Sequence, residues 1–352
     1  MEKQLGQHTI KEIFEQGEAF RGVVETLDTI TATIKKAFCE VNPDEVIFTG
    51  CGTSLYLAQT SAAIFSKYND ITAKAVPCSE LYLTPELYVK GKRSLVIPIT
   101  RRSDTTEVKM AINKVRLLDN VKTLAVTCDE NSKEYNDYYI LSPKAKEKSI
   151  VMTKSFTSMV FMNQILALTV AGKEELVNKL VSMPENCSKV MDNINDICKQ
   201  IIEENKDINL YITLGQGSLY GIANESMNKI KEMAISNSEA YYSLEYRHGP
   251  MALVDDKTLI TQYITEECEE LEAALMEEMR EYGGRIFIIG DKLTNKTKKC
   301  ADYYIELDCG YNADLITPLV AISGQLLGYY CAISKGLDLD SPRNLSQAII
   351  LK

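Results

Sequence analysis

The chain repeats itself at an interval of 165 residues: Gly50-Cys51-Gly52 returns as Gly215-Gln216-Gly217, and Asp137-Tyr138-Tyr139-Ile140 returns as Asp302-Tyr303-Tyr304-Ile305. A glycine turn and a tetrapeptide kept in one register argue for duplication, so both halves must share a fold. Short β-branched runs, apolar throughout, alternate with segments whose apolar residues recur at three-and-four spacing. The runs cover 45–50, 71–76, 94–100, 122–127 and 137–141 in the first half, and 209–215, 258–265, 285–291 and 302–307 in the second. Continuous apolar strands between amphipathic helices indicate parallel sheets covered on both faces. We expect an α/β fold: two tandem, doubly wound, flavodoxin-like parallel-sheet domains. Residues 1–200 would form the first, with one long N-terminal helical pattern over 1–40, and residues 201–335 the second. The polar, helix-like stretch 186–206 would join them, and residues 336–352 would form a tail closing over the site.

Composition narrows the function. Across 352 residues, 49 acidic against 39 basic side chains give a net charge of −10, and no basic stripe is visible, which disfavours a nucleic-acid partner. Any positive charge that meets an anionic ligand must therefore be local. Hydrophobic residues at 45% and charged residues at 25% exclude a disordered or collagen-like chain. The ten cysteines form no CxxC pair and adjoin no histidine cluster, so a metal site is not expected. Their scatter through apolar segments suggests reduced thiols and a cytoplasmic location. The first residues lack the apolar core of a signal peptide. The uncharged runs 155–172 and 315–334 contain Asn163, Gln164, Pro318, Ser323 and Gln325 and read as buried helices rather than membrane spans.

Two loops at the carboxyl ends of predicted strands, where doubly wound sheets bind ligands, have the chemistry of an anion site. In Gly50-Cys51-Gly52-Thr53-Ser54, glycine allows close backbone approach, and the helix read from Leu55 would turn its N–H groups toward an anion. Thr53 and Ser54 also suit plain helix capping. The turn lacks the third glycine of a dinucleotide fingerprint and the Gly-Lys-Ser/Thr of a P-loop. The second loop, Thr100-Arg101-Arg102-Ser103-Asp104-Thr105-Thr106-Glu107, offers four hydroxyls and two arginines, with Asp104 and Glu107 spaced as an N-cap and its N3 partner. The equivalent loop of the second half, Thr265-Glu266-Glu267-Cys268-Glu269-Glu270, is acidic, so one phosphate site per chain is expected.

These loops and three later segments resemble the tandem-domain branch of the sugar isomerase (SIS) family, which includes the isomerase half of glucosamine-6-phosphate synthase and the fructoselysine-6-phosphate deglycases. Cys51-Gly52-Thr53-Ser54 is similar to the family's C-G-T-S, and Glu225 to Glu232 to its E-x-x-x-K-x-K-E helix. Glu245-Tyr246-Arg247-His248-Gly249-Pro250 is similar to E-x-x-H-G-P, and Pro342-Arg343-Asn344-Leu345 to P-R-N-L. The resemblance implies that Glu232 moves a proton between C1 and C2 of an open-chain sugar phosphate. It also implies that His248, supplied across a homodimer with shared active sites, assists ring opening. A carboxylate and an imidazole suit these tasks, and no metal or organic cofactor is required. Lys229 would join them at the substrate, or simply offset the helix's carboxylates.

Departures from the family pattern separate its members. The phosphate loop usually reads Ser-x-Ser-Gly-x-Thr; here Thr100, Arg102, Ser103 and Thr105 occupy the named positions, with Arg102 for the second serine and Ser103 for the glycine. Arginine brings a charged fork while the lost glycine restricts backbone approach, so an anion still binds, shifted or of a different kind. The synthase has a lysine where this chain has Gln347, which cannot form an imine. No glutaminase-type segment precedes Glu45, which disfavours glutamine-dependent amination. The stretch from Glu147 through Ser149 to Phe156 is more like the deglycase and deaminase relatives. The reading is an isomerase or deaminase/deglycase acting on a 6-phosphorylated amino sugar or ketosamine. Cys51, Gly52, Thr53, Ser54, Thr100, Arg101, Arg102, Ser103, Thr105, Ser149, Lys229 and Gln347 would hold the substrate. Two alternatives stay open: a non-catalytic sugar-phosphate sensor that regulates a partner, and a synthase-like isomerase lacking the glutaminase.

Overall fold

The computed structural model describes residues 5–350 and divides into two compact units, each built on one five-stranded, all-parallel sheet. The first sheet contains β1 (Glu45–Gly50), β2 (Thr72–Pro77), β3 (Ser94–Thr100), β4 (Val121–Thr127) and β5 (Tyr138–Leu141), in the order β2-β1-β3-β4-β5. The second contains β6 (Leu210–Leu214), β7 (Asn237–Tyr241), β8 (Thr258–Tyr263), β9 (Arg285–Gly290) and β10 (Tyr303–Glu306), in the order β10-β9-β8-β6-β7. Counted within each half, both orders are 2-1-3-4-5, the doubly wound flavodoxin-like topology. The duplication read from the sequence is thus a duplication of topology.

The repeated glycines have a steric cause. A Cβ on Gly50 would run into the backbone of Ser54, and one on Gly215 into the carbonyl of Leu219, so each helix can return over its strand only past glycine. Gly52 and Gly217, the second glycines of the two turns, share positive φ values of 54° and 57°.

The unit of the first sheet comprises Glu15–Glu147, Lys154–Glu185 and the chain from Ser346 onward. Its helix Lys154–Val170 is buried from Lys154 to Leu168 and packs on the helix Thr53–Tyr68. The unit of the second sheet comprises the segment ending at Phe14, Lys148–Thr153 and Asn186–Leu345. There the helix Leu219–Ala234 packs closely on the buried helix Thr317–Ser334, because Gly324 faces Ser226 and Gly328 faces the Lys229 backbone, with no room for a larger residue. Asp340 fastens the helix Gln7–Phe14 within this unit, accepting bonds from His8 N at 2.9 Å, Thr9 N at 3.1 Å and Thr9 Oγ1 at 3.0 Å. A helix over Met183–Glu204 occupies the segment expected to join the halves. No helix among the described residues is long and apolar enough to cross a membrane.

Four local readings are corrected. Strand β7 was not expected, because Asn237-Ser238-Glu239-Ala240-Tyr241 lacks an apolar run; it lies at a sheet edge, where one side of the ladder has no partner strand. The helical pattern over residues 1–40 is three helices, Gln7–Phe14, Gln16–Glu25 and Leu27–Val41. The second break coincides with Thr26, whose hydroxyl bonds the carbonyls of Gly22 and Val23. The helix after the first glycine turn begins at Thr53, not Leu55, with Gly52 in the cap position and no side-chain cap bond. Finally, Thr105 rather than Asp104 precedes the helix Thr106–Val115, because the Asp104 carboxylate is engaged by Arg102.

Candidate active site

The sequence-predicted residues fall into two clusters, one in each unit. In the unit of the first sheet, β1 delivers Cys51 and Gly52 to the turn, and Thr53 and Ser54 open the following helix in nearly buried positions. Ser54 N bonds Cys51 O at 3.1 Å and Leu55 N bonds Gly52 O at 2.8 Å, which closes the turn on itself.

Strand β3 ends at Thr100, whose hydroxyl donates to the Arg102 carbonyl and shapes the second loop. Arg101 turns inward. Its Nη1 lies 2.9 Å from Glu147 Oε2, and its Nη2 donates to the Gln347 carbonyl at 3.2 Å. Glu147, its side chain fully buried, also accepts from Ser155 N at 2.9 Å and Ser155 Oγ at 2.7 Å. Arg102 turns outward, holding Asp104 Oδ2 through Nη2 at 2.8 Å and Gln347 Oε1 through Nη1 at 2.7 Å. Ser103 bonds Asp129 through its N–H at 3.0 Å and Ser132 through its hydroxyl at 2.7 Å. Thr106 N reaches the Ile349 carbonyl at 3.1 Å, so the last described residues lie along this loop.

A cavity of about 490 Å³ opens here, lined by Arg101, Arg102, Ser103, Asp129, Tyr135 and Gln347 among others. Thr100, Thr105 and the turn Cys51–Ser54 are not among its lining residues. The two arginines, read as bringing local charge to an anion, each arrive paired with a carboxylate. Glu147 as an ion-pair partner, together with Asp129 and Tyr135, was missed as part of this cluster. Asp129 was findable, since it stands just past the carboxyl end of β4.

In the unit of the second sheet, Glu225, Lys229 and Glu232 follow one another at four- and three-residue steps along one face of the helix Leu219–Ala234. Lys229, wholly buried, has Nζ 2.7 Å from Glu225 Oε1 and also donates to Glu232 Oε1. Burial opposes the charge on Lys229, but the Coulombic pull of Glu225 and Glu232 outweighs it and holds its pKa above the ordinary lysine value. Of the three, only Glu232 reaches solvent appreciably, with its side chain 18% exposed.

His248 is exposed at the end of the short 3₁₀ turn Leu244–Arg247. Buried Tyr246 and the 2.7 Å ion pair between Arg247 and Glu278 anchor this segment. So does Ser243, which donates to Glu272 Oε1 at 3.2 Å and accepts from Gln262 Nε2 at 2.9 Å. Glu272 is fully buried, and burial pushes its pKa up to about 7 even though bonds from Thr265 and Ser243 pull it down. It was missed, because it stands two positions past Glu270, at the end of a glutamate run that reads as a solvated surface. Ser149 belongs to neither cluster: it is buried, bonded through N–H and hydroxyl to Glu12 and through its hydroxyl to the Val151 carbonyl. Among the described residues, no group of three or more His, Cys, Asp or Glu is placed to hold a metal ion.

A family model described as the SIS domain matches twice, at residues 41–169 and 205–335. Over 348 residues the chain is 30% identical to glutamine–fructose-6-phosphate aminotransferase (isomerizing) of Sulfurisphaera tokodaii, covering 97% of this chain and 56% of that protein. The namesake from Escherichia coli is 24% identical over 369 residues, with 97% and 58% covered. The chain therefore spans little more than half the length of these curated relatives. Among solved structures, glucosamine-6-phosphate deaminase from Thermotoga maritima superposes with a TM-score of 0.80 at 30% identity, covering 98% of this chain and all of that one. Tagatose-6-phosphate ketose/aldose isomerase from Escherichia coli shares the fold, with a TM-score of 0.86 at 20% identity over 99% and 96% of the two chains.

Proposed function

The chain belongs to the SIS domain family, and from that premise we propose that it is a phosphosugar isomerase or deaminase of the deglycase-like kind, acting on a 6-phosphorylated amino sugar or ketosamine. The observation that carries the reading is the Glu225–Lys229–Glu232 row, in which a buried ion pair holds the one carboxylate that reaches solvent. Lys229 fixes where the Glu232 carboxylate points, and Glu225 keeps Lys229 charged although it is buried.

In the proposed reaction, Glu232 takes a proton from the carbon next to the open-chain carbonyl and returns it to the neighbouring carbon. With a hydroxyl on C1 this interconverts ketose and aldose through an enediol. With an amine on C1 the same shift passes through an enaminol to a C1 imine, which water cleaves to release the amine. His248 would move the proton at the ring oxygen during opening; its exposed position fits service to a partner subunit in a homodimer. Thr53, Ser54, Thr100 and Thr105 would hold the phosphate with the Cys51-Gly52 turn and Ser103, while Arg102 would exchange Asp104 for substrate and Gln347 would steady Arg102 beside it. We place the protein in the cytoplasm.

The likeness to isomerizing aminotransferases favours a second reading, a synthase-like isomerase, and Gln347 speaks against it. Incubation with fructose 6-phosphate, glucosamine 6-phosphate and 6-phosphorylated ketosamines, assayed for amine release and isomer formation, separates the readings. Amine release supports the deaminase branch of the proposal, isomer formation alone leaves its isomerase branch and the second reading, and binding without turnover supports a sensor.

A further inference from the structure

Strands β1 and β2 run parallel with Gly50 opposite Pro77, so the next residue on each, Cys51 and Cys78, emerge side by side. Neighbouring strands lie about 4.8 Å apart, within the roughly 4.4–6.8 Å Cα spacing that a disulfide spans. Cys51 packs against the buried cluster that contains Cys78, and Thr49 Oγ1 lies 3.4 Å from Cys78 Sγ. Both are free thiols; Cys78 is buried and Cys51 half-exposed.

We propose that Cys51 and Cys78 are a peroxide-reactive pair whose oxidation closes a disulfide across the mouth of the first glycine turn. Cys51, the sulfur that solvent reaches, attacks hydrogen peroxide, gaining one oxygen as a sulfenic acid while one water leaves. The Cys78 sulfur then attacks the Cys51 sulfur, the S–S bond forms, and the sulfenic hydroxyl leaves as a second water. Two thiol hydrogens and two electrons pass to one peroxide, and no further reactant is needed. Their neighbours divide the labour: the Cys51 thiol and the Thr49 hydroxyl draw the Cys78 pKa down against its burial, while Cys78 and burial push Cys51 up. Cys78 is thus the better nucleophile for the closing step, and exposure alone, against its raised pKa, selects Cys51 for the first.

The bond would tie Cys51, and with it Gly52, Thr53 and Ser54, to the start of the helix Cys78–Leu83; its effect on ligand rests on the reading of that turn as a phosphate site. The test treats reduced protein with hydrogen peroxide, blocks remaining thiols with N-ethylmaleimide, and maps peptides by mass spectrometry without reduction. The expected product is a linked Cys51–Cys78 peptide pair, lighter than the two separate peptides by two hydrogens and cleaved by dithiothreitol. Cys78→Ser and Cys78→Ala should lose the link and leave a Cys51 sulfenic acid that dimedone traps. Oxidation of Cys51 to sulfinic acid without a link, or links only among other cysteines, would overturn the proposal. Affinity for glucosamine 6-phosphate should fall at least tenfold on oxidation and return on reduction. A mapped bond with unchanged affinity would overturn the phosphate reading of the turn and leave the reactive pair standing.

Discussion

Lys229 Nζ lies 2.7 Å from Glu225 Oε1, with the lysine side chain fully buried and the glutamate side chain 1% exposed. A pair so enclosed is a commitment of the fold, because removing one member leaves the other charge buried without compensation. Lys229→Met should therefore destabilise the protein by about 3–5 kcal/mol. Glu232→Gln, which leaves that pair intact, should cost only about 1–2 kcal/mol. Urea unfolding of both variants checks the ranking; equal losses would mean that the three charges act as one unit.

Glu272 makes stability depend on pH in the direction opposite to most carboxylates. Burial raises its folded-state pKa from 4.5 to about 7, so between those values the folded state holds a proton that the unfolded chain has lost. Stability should fall as pH rises through that window, by up to the order of 3 kcal/mol from this group. Glu272→Gln should flatten the change between pH 5 and pH 8, measured as urea midpoints. Because Glu272 braces Ser243, ahead of His248, the same window should appear in the activity profile and fade in the variant.

Gly50→Ala and Gly215→Ala should each destabilise, since the added methyl meets helix backbone rather than a movable side chain. Overpacking of this kind costs about 1–3 kcal/mol or more. Thermal melts of the two single variants should shift alike, because the two residues do the same work in the two halves.

Gln347 bridges Arg101 and Arg102 through its carbonyl and its side chain. Gln347→Ala should alter stability by less than about 1 kcal/mol, since Arg102 is half-exposed. It should weaken binding of a phosphorylated sugar severalfold, read by calorimetry. Arg101→Ala should do far more damage, because it strands buried Glu147.

How much of this was legible depended on the range of the forces involved. Strand runs such as 94–100 are read locally, since a strand buried on both faces must be apolar along its length. The duplicated turn could be read because Gly50 and Gly215 answer to sterics within five residues. Strand β7 escaped because an edge strand tolerates Asn237, Ser238 and Glu239. Arg101 and Arg102 were recognised as residues, but the carboxylate on each was not. Glu147 is 46 positions from Arg101 in sequence and meets it only through the tertiary fold. Asp104 looked like a helix cap because cap geometry is a sequence pattern, whereas the ion pair that claims it depends on which way Arg102 turns. Glu272 lies beside surface glutamates in sequence and in the core in space.

The account stands on Glu232 as the group that moves a carbon-bound proton. The most direct test is proton exchange in deuterium oxide: incubate the protein with glucosamine 6-phosphate and fructose 6-phosphate, and follow the C1 and C2 hydrogens by nuclear magnetic resonance. The wild-type protein should wash deuterium into one of these positions, and a folded Glu232→Gln variant that still binds ligand should lose at least 100-fold of that rate, roughly the least that a general base contributes. Exchange at the wild-type rate in Glu232→Gln would contradict the account.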